Sequence, residues 1–236
     1  MPIVTAIEFL RPMDYVALVT LFAGWWAISW RIEHPHASKP SVSVLMGQYR
    51  RLWMQEMVHR EPRIFDAQMI GHLRQGAAFF ASSSMLAIGG GIALIGNTDQ
   101  LRSVARDLTQ RDDPVLIWEI KLILLLLLIS TAFLKYVWAL RLFGYTTVLM
   151  SAVPNNPNGP QTAERAAQAG DISRLAARAF TRGMRTTYFA LASAAWLLGP
   201  WAMIVAALAT VTMLWRREFA SNARDVLLRV PANLDH

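Results

Sequence analysis

The chain of 236 residues contains no cysteine, which excludes disulfides, thiolate nucleophiles and cysteine-based zinc or iron–sulfur sites. Charge is the second scarcity: 17% of the residues are Asp, Glu, Lys or Arg, against 54% apolar, a balance far from that of soluble domains. The charges are also unevenly placed. None occurs from Gln75 to Thr98, from Leu122 to Leu134 or from Thr186 to Trp215, and only Asp14 lies between Met13 and Arg31. Histidine is rare as well. His34, His36, His59, His72 and His236 all lie outside these apolar stretches, which disfavours a haem ligated inside a helix bundle. No GxSxG, HExxH or phosphate-loop pattern occurs, so no catalytic residue and no enzyme class is indicated.

What the sequence does hold is long apolar runs. A helix rises about 1.5 Å per residue and the hydrocarbon core is roughly 30 Å thick, so about 20 residues are needed to cross it. The expectation is an all-α, four-transmembrane-helix integral membrane protein with amphipathic juxtamembrane helices, forming a single membrane domain over 1–236. The spans are placed at 13–30, 76–96, 115–135 and 186–215, with cytoplasmic helical loops at 31–75 and 136–185. The third span takes in Glu119 and Lys121 near an interface. The first apolar segment lacks the basic lead-in and small-residue cleavage site of a signal peptide, so Met1 is expected to stay. Loops one and three, counted from Arg31 to Arg74 and from Lys135 at the edge of span three to Arg185, carry 14 of the 23 Lys and Arg residues, which by the positive-inside rule places both termini outside the cytoplasm.

The connecting segments are patterned too. In "SVSVLMGQYRRLWMQEMVHR" the residues Val42, Leu45, Met46, Tyr49, Leu52, Trp53 and Met57 recur at helical spacing, with Arg50, Arg51, Gln55, His59 and Arg60 elsewhere on the wheel. Pro62 suits a first helical turn, and nothing breaks the chain from there to Gly89, so the second helix is expected to project beyond the membrane. Thr98 or Asp99 would cap a short helix through Leu108, and Asp113 before Pro114 would open span three. Lys135, Trp138, Arg141 and Tyr145 resemble interfacial anchors, and the Pro/Asn/Gly cluster at 154–160 is a break. Asp171 is read as the cap of a helix running to Gly199 and Pro200, which should kink span four.

Three constellations stand out. Along span two, Gly76, Ser82, Ser83, Ser84, Ala87, Gly89, Gly90 and Gly91 leave one face almost bare; such a face serves close helix packing or lines a polar path. Arg174, Arg178, Arg182 and Arg185 form a basic stripe leading into span four, suited to anionic lipid headgroups or to drawing anions. Loop one carries a polar collar of Arg51, Arg60, Glu61, Arg63 and Asp66, in which the two acids would pair with Arg60, Arg63 or the basic stripe. Met54, Met57, His59 and "HPH" at 34–36 offer soft metal donors, but the methionines fit an apolar helix face, so no metal site and no cofactor is expected.

The run "YRRLWMQEMVHREPRIFDAQMIGHLRQGAAFFASSSMLAIGG", together with "KYVWALRLFGY" and "RGMRTTYFALASAAW", resembles the four-pass membrane family known only as domain of unknown function 599. The likeness covers roughly residues 12–225. It implies four helices and residence in a bacterial inner membrane, and it supplies no activity. It marks Arg51, Trp53, Met54, Arg60, Glu61, Arg63 and Asp66 as part of the shared pattern, which makes loop one more than a tether.

The functional expectation is a homo-oligomer forming a channel or transporter-like path for a small anion or neutral solute. The alternative is a non-transporting accessory or scaffold subunit of a larger membrane complex, with a membrane enzyme third. The partners expected are a bilayer with anionic lipids and further copies or chains, and no nucleic acid, because the net charge of +7 is distributed among loops rather than gathered on one domain.

Overall fold

In a computed structural model the described residues, 10–97 and 115–229, form seven α-helices and a 3-10 turn, with no strand among them. The helices are α1 (Pro12–Glu33), α2 (Val42–Met57), α3 (Ile64–Ile95), α4 (Val115–Ser151), α5 (Thr162–Ala194), α6 (Pro200–Phe219) and α7 (Asn222–Arg229), and the 3-10 turn is Ala195–Leu198. Three of them, α1, α3 and α4, are long and apolar enough to cross a membrane. With 32 and 37 residues, α3 and α4 are about 48 and 55 Å long, so each outruns a hydrocarbon core of about 30 Å. The second apolar helix has the unbroken length that its expected projection requires.

The 186–215 stretch is built differently from the expectation. A kinked span was expected there; instead α5 stops at Ala194, the chain tightens into the 3-10 turn, and Gly199 takes a φ of 129° before α6 starts at Pro200. A φ in that region favours glycine, and proline with its fixed φ and missing N–H opens a helix readily. The two residues therefore end one helix and begin another. Asp171 also departs from its expected role: α5 begins nine residues earlier, at Thr162, and Asp171 lies inside it. Alanines at 163, 166, 167 and 169 carry the helix through that region on propensity. Pro62 precedes α3 rather than occupying its first turn, joined to Glu61 by a cis peptide bond. The short helix expected at 98–108 and the Asp113–Pro114 signature lie outside the described residues.

The chain forms two compact units. The first comprises Met1–Trp30, Ser83–Ala132 and Met184–Trp215. Helix α1 opens with Pro12, and Asp14 reaches back so that its Oδ2 accepts the Arg11 backbone N–H at 3.0 Å, one half of a capping box. The unit's interior mixes aliphatic side chains such as Leu21, Leu122 and Met203 with alanines and the aromatic rings of Trp118, Phe189 and Trp196. A Cβ on Gly24 would stand 3.0 Å from Val211 Cγ2, and one on Gly91 would stand 2.4 Å from Leu126 Cδ2. Long aliphatic and aromatic residues such as Val19, Trp26, Leu86, Leu127 and Val205 are exposed. Threonines within these helices return their hydroxyls to the carbonyl four residues earlier, as Thr20 does to Val16 and Thr131 to Leu127, which satisfies them without water.

The second unit comprises Arg31–Ser82, Phe133–Gly183 and Arg216–His236. Ser41 caps α2: its Oγ accepts the Val44 N–H and donates to the Ile32 carbonyl at the end of α1. The buried Glu218 carboxylate accepts the Ser43 N–H at 3.0 Å and the Ser43 hydroxyl at 2.9 Å, placing a negative charge at a helix N-terminus. One apolar cluster joins Met54, Met57, Ile70, Met150 and Val153; another joins Ala77, Ala139, Phe143, Ala176 and Ala179. Tyr136 is fully buried between Phe80 and Phe180, and a Cβ on Gly183 would stand 2.6 Å from its ring. The inward face of α2 is Leu45, Gly47, Met54 and Met57. Met46, expected on that face, is exposed, because a glycine one residue on admits a neighbouring helix instead.

Candidate functional site

The bare face of α3 is divided by the fold. Ser84 is buried, and Gly91 meets Leu126. Ser82, Ser83, Ala87, Gly89 and Gly90 are exposed, Gly76 is half-exposed, and a Cβ on Gly76, Gly89 or Gly90 would meet nothing within 4 Å. Among the described residues, only the part of the stripe around Ser84 and Gly91 is used for packing. The close helix approaches that the structure does make fall largely elsewhere, at Gly24, Gly47, Gly170 and Gly183. Each is a lone glycine, and a lone glycine gives no stripe to notice.

The polar collar lies in the second unit around Asp66, which is 0% exposed. Its Oδ1 accepts the Trp53 indole N–H at 2.6 Å and an Arg60 N–H at 2.5 Å, while no described residue donates to Oδ2. Arg63 lies apart from this carboxylate: it donates to the Val153 and Pro154 carbonyls at 2.7 and 2.8 Å and fastens the end of α4. Arg51 donates to Asp171 at 2.6 Å. Glu61 is exposed and joins none of these pairs among the described residues. The expected pairing of Asp66 with Arg60 is present; Trp53, read as an apolar-face residue, proves to be a hydrogen-bond donor as well.

The basic stripe is neutralised from an unexpected side. Glu33, the last residue of α1, accepts from Arg178 at 3.0 Å and from Arg182 Nε at 2.7 Å, with a second Arg182 contact through Nη2. That hydrogen bond, helped by the nearby charge and opposed by burial, raises the Arg182 guanidinium above its ordinary value. Arg174 approaches Asp171 at 3.7 Å and Arg185 is buried. The four arginines therefore do not form one solvent-facing row. Sequence spacing put them on one helical face; the position of Glu33, some 150 residues away, could not be read from it.

Arg50 differs from its neighbours. Burial pushes its guanidinium below the ordinary value. Its hydrogen bond is a long one, 3.4 Å to the Ser173 hydroxyl, with no carboxylate in reach among the described residues.

The first unit holds a polar cluster that apolar averages concealed. Asp14, Trp118, Lys121 and Trp196 are all buried. The Trp196 indole donates to Asp14 Oδ1 at 2.7 Å, and the Lys121 ammonium lies 4.7 Å from the Trp118 ring centroid and 5.8 Å from that of Trp196. Two indole faces thus hold the cation, while Trp118 Nε1 has no acceptor among the described residues. Lys121, read as an edge residue of span three, faces inward. Among the described residues no set of three or more His, Asp or Glu side chains gathers to hold a metal.

An all-helical chain with three membrane-length apolar helices, outward aliphatic side chains and its charges gathered in interhelical pairs has the make-up of a multi-pass membrane protein. Residues 16–223 match the family described as "Protein of unknown function, DUF599", and the chain belongs to that family. Neither a curated protein nor a solved structure matches it.

Proposed function

We propose that the chain is a homo-oligomeric protein of a bacterial inner membrane, in which the exposed small-residue face of α3 meets the same face of further copies around a path for a small anion or neutral solute. One observation carries the reading: the space over Gly76, Gly89 and Gly90 is open among the described residues, and membrane helices use small faces to bring backbones together. The apolar end of α5 and helix α6 together supply the fourth crossing, and both termini lie outside the cytoplasm. Ser82 and Ser83 then border the path with hydroxyls, and the half-exposed Arg174, Arg178 and Arg182 of α5 face anionic lipid. A cation is disfavoured as the passing species, because the exposed face of α3 from Ser82 to Gly90 offers no carboxylate to coordinate one.

Native mass spectrometry of the gently solubilised chain tests the seam. A closed ring of identical copies supports the proposal; capture with a different chain favours an accessory subunit of a larger complex, whose docking face would be the same one. Gly90→Leu should disperse the ring, since a branched side chain there forces backbones apart. In reconstituted liposomes, Ser83→Val should lower the flux of chloride, small organic anions or neutral solutes. Absence of all such flux from a ring-forming protein would remove the path and leave the seam.

A further inference from the structure

Helices α2 and α5 approach closely where two glycines remove side chains from the second unit. A Cβ on Gly47 would stand 3.2 Å from Arg174 Cδ, and one on Gly170 would stand 3.2 Å from Arg51 Cα. Arg50 and Arg51 lie one helical turn beyond Gly47, and Arg174 lies one turn beyond Gly170. The crossing therefore brings three arginines onto its facing turns, with Arg51 and Arg174 sharing Asp171 and Arg50 reaching Ser173 two residues further along α5. Among the described residues one carboxylate stands against them: Asp171 Oδ1 takes Arg51 at 2.6 Å and Arg174 at 3.7 Å. Arg50, among the described residues, has only the Ser173 hydroxyl, at 3.4 Å.

Packing alone gives no reason for this excess. Like charges brought together on a close helix pair oppose the contact, and a leucine at 50 would pack there without the desolvation that a guanidinium suffers. A group that supplies negative charge and several acceptor oxygens removes both penalties. Guanidinium forks match a tetrahedral oxyanion in geometry. Asp171 holds Arg51 and Arg174 in place, with their side chains still 39% and 46% exposed. Arg50 supplies a charge that no carboxylate among the described residues answers.

We propose that Arg50, Arg51 and Arg174, gathered where Gly47 and Gly170 let α2 and α5 cross, bind a phosphate group, carried by an anionic phospholipid headgroup or by a soluble phosphate compound. The site narrows the lipid-or-anion reading of the α5 arginines to their crossing with α2. It lies within one unit of one chain and needs neither a second copy nor transport.

The test uses the full chain in uncharged detergent titrated with inorganic phosphate and pyrophosphate by calorimetry, and the full chain in phosphatidylcholine nanodiscs with and without phosphatidylglycerol, followed by thermal unfolding. Saturable binding of inorganic phosphate or pyrophosphate identifies a soluble ligand; stabilisation by phosphatidylglycerol alone identifies the headgroup. In either case Arg50→Gln, which leaves no carboxylate without its partner, should weaken the effect about tenfold or more. Arg50→Lys should fall between Arg50→Gln and the wild type, and Arg141→Gln, the same charge lost from the exposed face of α4, should change it about twofold at most. The proposal is overturned if no probe binds or stabilises the wild-type chain, or if Arg50→Gln and Arg174→Gln respond as Arg141→Gln does. Because both readouts work on single copies, their outcome is independent of whether the chain forms a ring or conducts.

Discussion

The two units solve opposite problems with the same element, the α-helix. In the first, the exposed residues are the apolar ones, with Leu86 at 78% and Trp26 at 71%, while Asp14, Lys121 and Arg185 are inside. In the second, apolar clusters around Met54 and Phe143 are inside and charged pairs tie the helices together. An inverted distribution is stable only if hydrocarbon covers the outer surface, since lipid removes the penalty for exposing leucine and raises that for exposing lysine. The second unit also exposes apolar residues, such as Phe79, Leu134 and Val148, but buries no lysine among its described residues. The difference says what should hold each unit together: close packing around glycines and a few enclosed polar contacts in the first, ion pairs and capped helix ends in the second.

The comparison is broken hardest at Asp66. Asp66→Ala strands the Trp53 indole N–H and the half-buried Arg60, and should cost about 3 kcal/mol, measurable as a lowered midpoint in thermal unfolding in uncharged detergent. If the second unit were held by apolar packing alone, the loss would be close to that of an exposed substitution. Next is Gly183→Ala, which drives a methyl into the ring of Tyr136, itself wedged between Phe80 and Phe180. Overpacking of this kind should cost about 1–3 kcal/mol. Leu94→Ile, on an exposed stretch of α3, should change stability very little in the same assay.

The ion pairs sharpen the contrast at smaller scale. In a double-mutant cycle, Glu33→Gln and Arg182→Gln should show a coupling of about 0.5–1 kcal/mol, reduced by salt because Arg182 is half exposed. A cycle between Glu61 and Arg178 should be additive, because Arg178 answers Glu33 and Glu61 is exposed elsewhere in the unit. Coupling in the second cycle and none in the first would show that the pairs rearrange in solution.

The legible parts of the fold were those written in local spacing. The helix over 42–57 and the pairing of Arg60 with Asp66, six residues apart, were both expected. So was the disruption at Gly199 and Pro200, though as a kink and not as the end of one helix and the start of another. The cap role given to Asp171 misled because Asp is a cap only where the chain preceding it leaves helical geometry, and an alanine-rich stretch upstream keeps it helical. The bare face of α3 was visible as a pattern, yet its division into a buried side at Ser84 and Gly91 and an open side at Ser83 and Gly90 depended on where α4 lies.

By itself the sequence determined what each segment of the chain prefers as its solvent, which stretches are helical and which family the protein belongs to, because hydropathy, periodicity and shared motifs are carried by neighbouring residues. The tertiary structure alone decided which charges meet. Glu33 answers Arg178 and Arg182, Asp14 accepts the Trp196 indole across 182 residues, and Arg50 comes to lie against Ser173 without a carboxylate. Such pairs act over a few ångströms, and only the packing of helices distant in sequence brings their members within that reach.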